Sequence, residues 1–243
     1  YGTDLYGKKT LHLLLKKLCS IKGIRWIRIL YCYPEEIYDE LIQVMKEEKK
    51  ICHYLDLPIQ HASDRILKRM GRRTSREQLV EIIQKLRKEI PDIVLRTTLI
   101  TGFPGETEED HQKLMEFIDE MEFDRLGVFT YSAEEGTPAA SMDGQIPEEL
   151  KEERRDELME LQQEISLEKG NERIGQELLV MIEGKVSGES AYIGLTYGDA
   201  PNVDGYLFVQ TGELLMTGDF AKVRVTGAME YDLIGELADE YTE

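Results

Sequence analysis

Residues 93–107 read IVLRTTLITGFPGET, and this stretch decides the fold class. Ile93 to Ile100 form a nearly continuous apolar run, which is typical of a strand buried on both faces of a parallel sheet. A turn with two glycines follows, and Thr107 then offers a side-chain oxygen that can cap a helix. The buried face of that helix is predicted to be Leu114, Phe117, Ile118 and Met121. The stretch is therefore a strand, a turn and a helix.

The same unit recurs on both sides of this stretch. The patterns predict strands at 24–33, 54–57 and 123–131, a helix at 35–49 after Pro34, and a helical turn capped by Ser63 or Asp64. Thr74 begins a possible capping box, and an apolar stripe follows it at Leu79, Ile82, Ile83, Leu86 and Ile90. Strands that alternate with helices indicate a parallel sheet, either open or curled into a barrel.

The composition changes in the last third of the chain. A long charged helix is predicted from Glu148 to Gly170, with Leu150, Leu158, Leu161 and Ile165 as its apolar seam. Five short runs follow, at 178–182, 192–196, 206–210, 221–225 and 231–237, which predict a small antiparallel barrel of OB-like proportions. We place the boundary near residues 171–175, which gives domains of 1–172 and 173–243.

Charge and cysteine spacing restrict the partners and the metals. The formal charge of −18 disfavours a polyanionic ligand and favours a basic protein partner, although the charge can also serve solubility alone. Cys19, Cys32 and Cys52 fit neither a zinc site nor a cluster motif, so we expect free thiols and no metal ligands. The chain has no membrane-spanning run and no signal region, which predicts a cytoplasmic protein, and its start without Met reads as a fragment with residues missing upstream.

Candidate ligand-binding residues lie where the predicted strands end, because ligands of parallel α/β folds bind at the carboxyl ends of the strands. Glycines in the turn after residue 100 permit close approach of a ligand. Polar side chains follow the predicted strand at 54–57, and an arginine inside the strand at 93–100 could pair with a carboxylate. Each feature also has an ordinary structural explanation, and no residue stands out as catalytic. The candidate set is Gln60, His61, Arg96, Gly102, Gly105 and Tyr131.

Four phrases of the sequence carry a resemblance: YGTDLY at 1–6, DLPIQHASD at 56–64 with ILKRM at 66–70, ITGFPGET at 100–107, and FTYS at 129–132 with EGTPA at 135–139. They resemble the methylthiotransferase family of radical S-adenosylmethionine enzymes, and the match runs over nearly the whole chain. The barrel from 176 to 237 resembles a TRAM domain, the usual C-terminal module of that family. The resemblance implies an α/β fold, with a partial (β/α) radical-SAM, TIM-like barrel portion followed by a small all-β antiparallel OB-like TRAM barrel.

Two branches of this family modify different substrates. One modifies adenosine in tRNA, and the other, the RimO type, modifies an aspartate of small-subunit ribosomal protein twelve. His61 after Gln60 and the run WIRILY at 26–31 resemble the RimO type, whereas the tRNA branch has Gln-Ser-Gly-Ser at the first position. Residues 176–243 hold 13 acidic and 3 basic residues, an excess of 10 negative charges, which should repel tRNA and attract a basic ribosomal protein.

The resemblance implies S-adenosylmethionine and two [4Fe–4S] clusters as cofactors. A reduced cluster would cleave S-adenosylmethionine to a carbon radical, the radical would take hydrogen from the aspartate β-carbon, and a second cluster would help to deliver a methylthio group. The Cys-x-x-x-Cys-x-x-Cys loop is absent from the sequence, so the chain alone is predicted to be inactive. The alternatives are a tRNA methylthiotransferase, a non-enzymatic binding module that uses only the TRAM barrel, and a metal-free α/β-barrel enzyme.

Overall fold

The chain divides into two compact units, Tyr1–Leu161 and Gln162–Glu243. The computed structural model describes residues 1–238. The boundary between 172 and 173 expected from the sequence stays a prediction. No helix among the described residues is both long and apolar enough to cross a membrane.

The first unit is built on a four-stranded parallel sheet with the strands in chain order. Its strands are β1 Ile27–Ile29, β2 Ile51–Asp56, β3 Val94–Thr101 and β4 Arg125–Thr130. Its helices are α1 Thr3–Tyr6, α2 Leu11–Cys19, α3 Asp39–Glu47, α4 Asp64–Arg69, α5 Arg76–Glu89, α6 Glu108–Met121 and the start of α7 Glu148–Glu172, with 3₁₀ turns at Pro34–Glu36 and Pro138–Ser141. This strand–helix alternation confirms the α/β prediction.

The two faces of the sheet differ in burial. Along β3, Leu95, Thr97, Leu99 and Thr101 are completely buried, whereas the alternate residues, from Arg96 to Ile100, are half-buried. The face of the half-buried residues is called the open face below. The buried face explains why the run at 93–100 is nearly continuous in apolar residues, and the open face explains why Arg96 is tolerated in it.

Several local boundaries differ from those expected. The run at 24–33 forms strand only at Ile27–Ile29, because β1 pairs with a single neighbour, β2, and its register with β2 shifts between those two residues. The helix expected at 35–49 is a 3₁₀ turn followed by α3. The capping box of α5 is one residue later than expected: Ser75 accepts from the backbone of Gln78, and the Gln78 side chain accepts from the backbone of Ser75.

The second unit contains a closed five-stranded barrel. Its strands are β5 Glu177–Lys185, β6 Ala191–Leu195, β7 Leu207–Gln210, β8 Phe220–Ala228 and β9 Leu233–Leu237. Four neighbouring pairs are antiparallel as expected, and the pair of β7 with β9 is parallel. Alternate residues of the strands fill the interior, among them Val180, Ile182, Leu207, Val209, Val223 and Val225.

Candidate functional site

The turns that follow β2 and β4 are both connected to β3 by backbone hydrogen bonds. Gln60 bridges to β3, because its N–H donates to the Thr98 carbonyl at 3.0 Å and its carbonyl accepts from Ile100 N–H at 2.8 Å. Tyr131 N–H donates to the Thr101 carbonyl at 2.9 Å. The three strand ends singled out in the sequence therefore form one continuous edge.

Gln60 lies on this edge in a strained backbone conformation. Its φ of 71° is in the left-handed region, which costs a non-glycine residue roughly 1–2 kcal/mol. The two hydrogen bonds to β3 hold it there. Such outliers concentrate at functional sites, so its half-buried side chain is the first candidate of this turn. Tyr31, after β1, has a φ of 55° and is largely exposed, and sequence reasoning missed it.

His61 is completely buried and serves the turn itself. Its Nδ1 accepts from the N–H groups of Ala62 and Ser63 at 3.0 and 2.9 Å, which leaves the ring proton on Nε2. Nε2 lies 3.4 Å from Oε2 of Glu106, itself buried. His61 thus ties the turn after β2 to the turn after β3.

Glu106 is the centre of a buried polar cluster. It accepts from Gly102 N–H at 2.9 Å and from the Arg154 guanidinium at 2.9 Å. Burial raises the pKa of its carboxyl group, but the approach of the His61 ring, the hydrogen bond from Gly102 N–H and the charge of Arg154 outweigh this effect, so the pKa is lower than usual. The carboxylate is therefore ionised at neutral pH, and its hydrogen bonds with Gly102 and Arg154 hold it in place.

The two glycines of the candidate set have positive φ values, 72° for Gly102 and 80° for Gly105, and protein atoms surround both. A Cβ on Gly102 would stand 2.2 Å from Cγ of Lys151, and one on Gly105 would stand 3.2 Å from the Arg69 guanidinium. Gly105 N–H also donates to the Gly144 carbonyl at 2.7 Å. Packing and backbone geometry therefore require both glycines, whatever the loop binds.

Arg96 lies on the open face beside a second buried carboxylate. Its Nη1 is 3.1 Å from Asp56 Oδ1 and 3.1 Å from Thr98 Oγ1. The side chain of Arg96 is 14% exposed and that of Asp56 is 4% exposed, so the pair is largely screened from water. This face can offer a ligand both a guanidinium and a carboxylate.

Tyr131 closes the edge at the end of β4. Its ring packs edge-on against Phe103 of the glycine turn, with the centroids 5.1 Å apart. Its hydroxyl oxygen is buried and has no hydrogen-bond partner among residues 1–238. A buried unpaired hydroxyl is costly, and a ligand that supplies a polar atom would remove that cost.

Helix α7 contributes two buried cations that sequence reasoning missed. Its apolar seam was expected to include Leu150, but Lys151 and Arg154 are the buried residues of its first turns, followed by Leu158 as expected. Lys151 Nζ donates to the Tyr131 carbonyl at 2.8 Å and to Glu148 at 2.9 Å. The positions 151, 154 and 158 share one helix face, which was the available signal.

No group of three or more His, Cys, Asp or Glu side chains within residues 1–238 is arranged to hold a metal ion. Cys19, Cys32 and Cys52 are free thiols, as expected, and all three are buried. Burial raises the pKa of each thiol, that of Cys32 to about 11. The three thiols are therefore protonated at neutral pH in the absence of a metal ion.

The chain is similar to two known protein families. A radical SAM superfamily description matches residues 1–118, and a TRAM domain description matches residues 174–238. In fold, coproporphyrinogen III oxidase (HemN) of Escherichia coli, described as a radical SAM enzyme, is similar with a TM-score of 0.50 and 16% identity over 78% of this chain and 49% of that chain. These similarities confirm the expected fold class.

Curated relatives match over nearly the whole length of the chain. The ribosomal protein uS12 methylthiotransferase RimO of Lachnoclostridium phytofermentans is 66% identical over 97% of this chain and 53% of the relative. The protein of the same description from Pelotomaculum thermopropionicum is 55% identical over 97% of this chain and 53% of the relative. The chain spans about half the length of the curated relatives that it matches.

Proposed function

This chain belongs to the RimO-type family of radical S-adenosylmethionine proteins, and from this premise we propose a methylthiotransferase function within a protein of its relatives' full length. The reaction replaces a hydrogen on the β-carbon of an aspartate in small-subunit ribosomal protein twelve with a methylthio group. The observation that carries the proposal is the continuous edge of three strand-end turns. A ribosomal substrate implies a cytoplasmic location.

The edge would bind S-adenosylmethionine. The unpaired Tyr131 hydroxyl lies at the end of β4, and Arg96 of β3 pairs with Asp56, the last residue of β2. Arg96 would hold the carboxylate of the ligand, and Gln60 and Tyr131 would hydrogen-bond its other polar atoms. When bound, S-adenosylmethionine supplies the carbon radical that abstracts hydrogen from the substrate.

His61, Gly102 and Gly105 would support this site from behind. His61 and Gly102 N–H both contact the Glu106 carboxylate, and Lys151 fills the space beside Gly102. These contacts fix the relative positions of the turns after β2 and β3. A ligand that spans both turns then meets a preorganised surface, which reduces the ordering cost of binding.

The residues of this chain do not fit an iron–sulfur cluster. The three cysteines are buried, their thiol pKa values are raised, and residues 1–238 offer no ligating group of three or more. The two [4Fe–4S] clusters of the family therefore need ligands outside these residues.

The acidic barrel would recruit the substrate protein. Residues 176–243 carry 13 acidic and 3 basic side chains, and a surface of this charge attracts basic proteins and repels polyanions. Small-subunit ribosomal protein twelve is the partner that this charge favours over tRNA. The attraction should weaken as salt is added.

The test uses a full-length protein of this family type that contains this sequence, with reconstituted clusters, S-adenosylmethionine and purified ribosomal protein twelve. Mass spectrometry should find one added methylthio group on an aspartate of the ribosomal protein. Modification of an adenosine in tRNA under the same conditions would assign the other branch of the family. Modification of neither substrate would contradict the proposal.

A further inference from the structure

The loop between β7 and β8 exposes two large apolar side chains. Within this loop, residues 211–219, Leu214 is 87% exposed and Met216 is 72% exposed, while Leu215 between them is buried in the barrel core. Leu214 is the most exposed large hydrophobic residue in the described part of the chain. Leu215 thus anchors the loop, and its two neighbours project into solvent.

The loop is held in this arrangement by contacts on both sides of Leu215. The Tyr192 hydroxyl accepts from Leu215 N–H at 3.2 Å and donates to the Glu213 carbonyl at 3.3 Å. Asp219 accepts from Met216 N–H at 2.8 Å, and Gly218 N–H donates to the Ile182 carbonyl at 2.8 Å. A loop fixed in this way presents its apolar side chains at little ordering cost on binding.

The two apolar side chains lie in an acidic loop, and its carboxylates, Glu213 and Asp219, are called the acidic rim. Residues 211–219 contain Glu213 and Asp219 and no Lys or Arg, and Thr217 donates to the backbone carbonyl of Glu183 on β5 at 3.0 Å. Lys185 on β5 is a cation over the ring of Tyr192, the residue whose hydroxyl contacts the loop, with Nζ 6.0 Å from the ring centroid. An apolar pair with an acidic rim is complementary to a polypeptide segment that has both cationic and apolar side chains.

We propose that Leu214 and Met216 form the apolar anchor on which a basic polypeptide segment docks. The inference rests on the proposed function, since the segment belongs to the ribosomal protein substrate. Nucleic acid is disfavoured, because the rim is acidic and neither side chain is an aromatic platform on which bases stack. Charge steers the basic partner to the barrel, and the apolar pair supplies contact area that salt does not screen.

The experiment titrates purified ribosomal protein twelve into the full 243-residue chain by calorimetry at low and moderate salt. The variant is L214S/M216S, and the matched control is V203S, which removes an apolar side chain that is 55% exposed elsewhere on the barrel. The double variant should bind at least about tenfold more weakly at both salt concentrations, whereas the control should stay within about twofold of the unmodified chain. Circular dichroism melting checks that both variants remain folded.

Three results would overturn the inference, and they differ in what they say about the partner. Equal binding by the double variant and the unmodified chain removes the loop from the interface and leaves the proposed partner intact. Absence of binding by the unmodified chain would exclude ribosomal protein twelve as the partner and would exclude the loop as its contact. In a parallel titration with tRNA, tight binding by the unmodified chain that is lost in the double variant would identify the loop as an RNA contact instead.

Discussion

The side chain of Lys151 occupies the space beside the α-carbon of Gly102. A Cβ on Gly102 would stand 2.2 Å from Lys151 Cγ, which is far inside van der Waals contact. The Lys151 ammonium cannot move away freely, because it is bound to the Tyr131 carbonyl and to Glu148. A close contact inside the protein therefore accounts for the glycine at this position.

Gly102→Ala should lower the free energy of unfolding by about 2–4 kcal/mol, because the methyl group meets Lys151 and the φ of 72° disfavours alanine. Urea unfolding of the chain measures this loss. Gly184→Ala is the matched control, since no heavy atom lies within 4 Å of its added methyl group, and it should change stability by less than about 1 kcal/mol.

Lys151→Ala should reduce the loss in free energy of unfolding that Gly102→Ala causes. Without the lysine stem, Gly102→Ala should retain only the backbone cost of about 1–2 kcal/mol. A double-mutant cycle by urea unfolding isolates this coupling. An equal cost of Gly102→Ala in both backgrounds would show that the contact with Lys151 is not its cause.

Glu106→Gln should destabilise the protein by about 3–5 kcal/mol, because the substitution removes the one buried carboxylate of the two that pair with the buried Arg154 guanidinium. Glu108→Gln removes the other carboxylate near Arg154, but Glu108 is 77% exposed, so the loss should be below about 1 kcal/mol. Thermal unfolding of the two variants compares them. Similar losses of stability in the two variants would mean that burial does not increase the contribution of the Glu106–Arg154 ion pair.

Acid should destabilise the first unit through Glu106 and Asp110. Burial raises the pKa of each carboxyl group. The His61 ring, Gly102 N–H and Arg154 around Glu106, and hydrogen bonds from Arg65, Ser63 and Thr107 to Asp110, lower the pKa by more, so both folded-state values lie below the unfolded ones. This stability is present above the unfolded pKa values and is lost as the pH falls through the folded ones. The free energy of unfolding should therefore decrease below about pH 4, with a smaller slope in Glu106→Gln.

The sequence was sufficient to predict the strand–helix alternation and the three turns of the site edge. Both follow from local signals, namely the apolar runs, the glycine turn and the capping residue Thr107. Five of the six candidate residues lie in turns or at strand ends for this reason, and Arg96 alone lies inside a strand. The backbone hydrogen bonds by which Gln60 and Tyr131 connect these turns to β3 depend on strand pairing. The sequence indicated that pairing only through the order of the strands.

The buried charges could not be predicted in the same way. Lys151 and Arg154 lie in a helix rich in Glu, where local pattern indicates a solvated face, and their burial results from contacts with Tyr131 and Glu106 many residues away. His61 was predicted to contact the cofactor, but its exposure is zero because the backbone of its own turn and Glu106 enclose it. The spacing of 151, 154 and 158 places them on one helix face, but the distant partners that bury this face leave no local signal in the sequence.

The three cysteines should react slowly with iodoacetamide in the folded chain at neutral pH. Cys19, Cys32 and Cys52 are buried, and their raised pKa values reduce the fraction of reactive thiolate. Mass spectrometry of timed samples should find little alkylation, and the same samples in denaturing urea should show rapid alkylation of all three. Fast labelling of Cys32 in the folded chain would contradict the burial of the strand end after β1.

Tyr131→Phe should separate a role in ligand binding from a role in the fold. The Tyr131 hydroxyl is buried without a hydrogen-bond partner among residues 1–238, so its removal should leave the stability unchanged or raise it by up to about 1 kcal/mol. The ring contact with Phe103 is kept. If the hydroxyl binds S-adenosylmethionine, the same substitution in a full-length family protein should weaken that binding by about fivefold or more, because a hydrogen bond to the ligand is lost. Calorimetry with S-adenosylmethionine and thermal unfolding give the two readouts, and an unchanged affinity would exclude Tyr131 from the site.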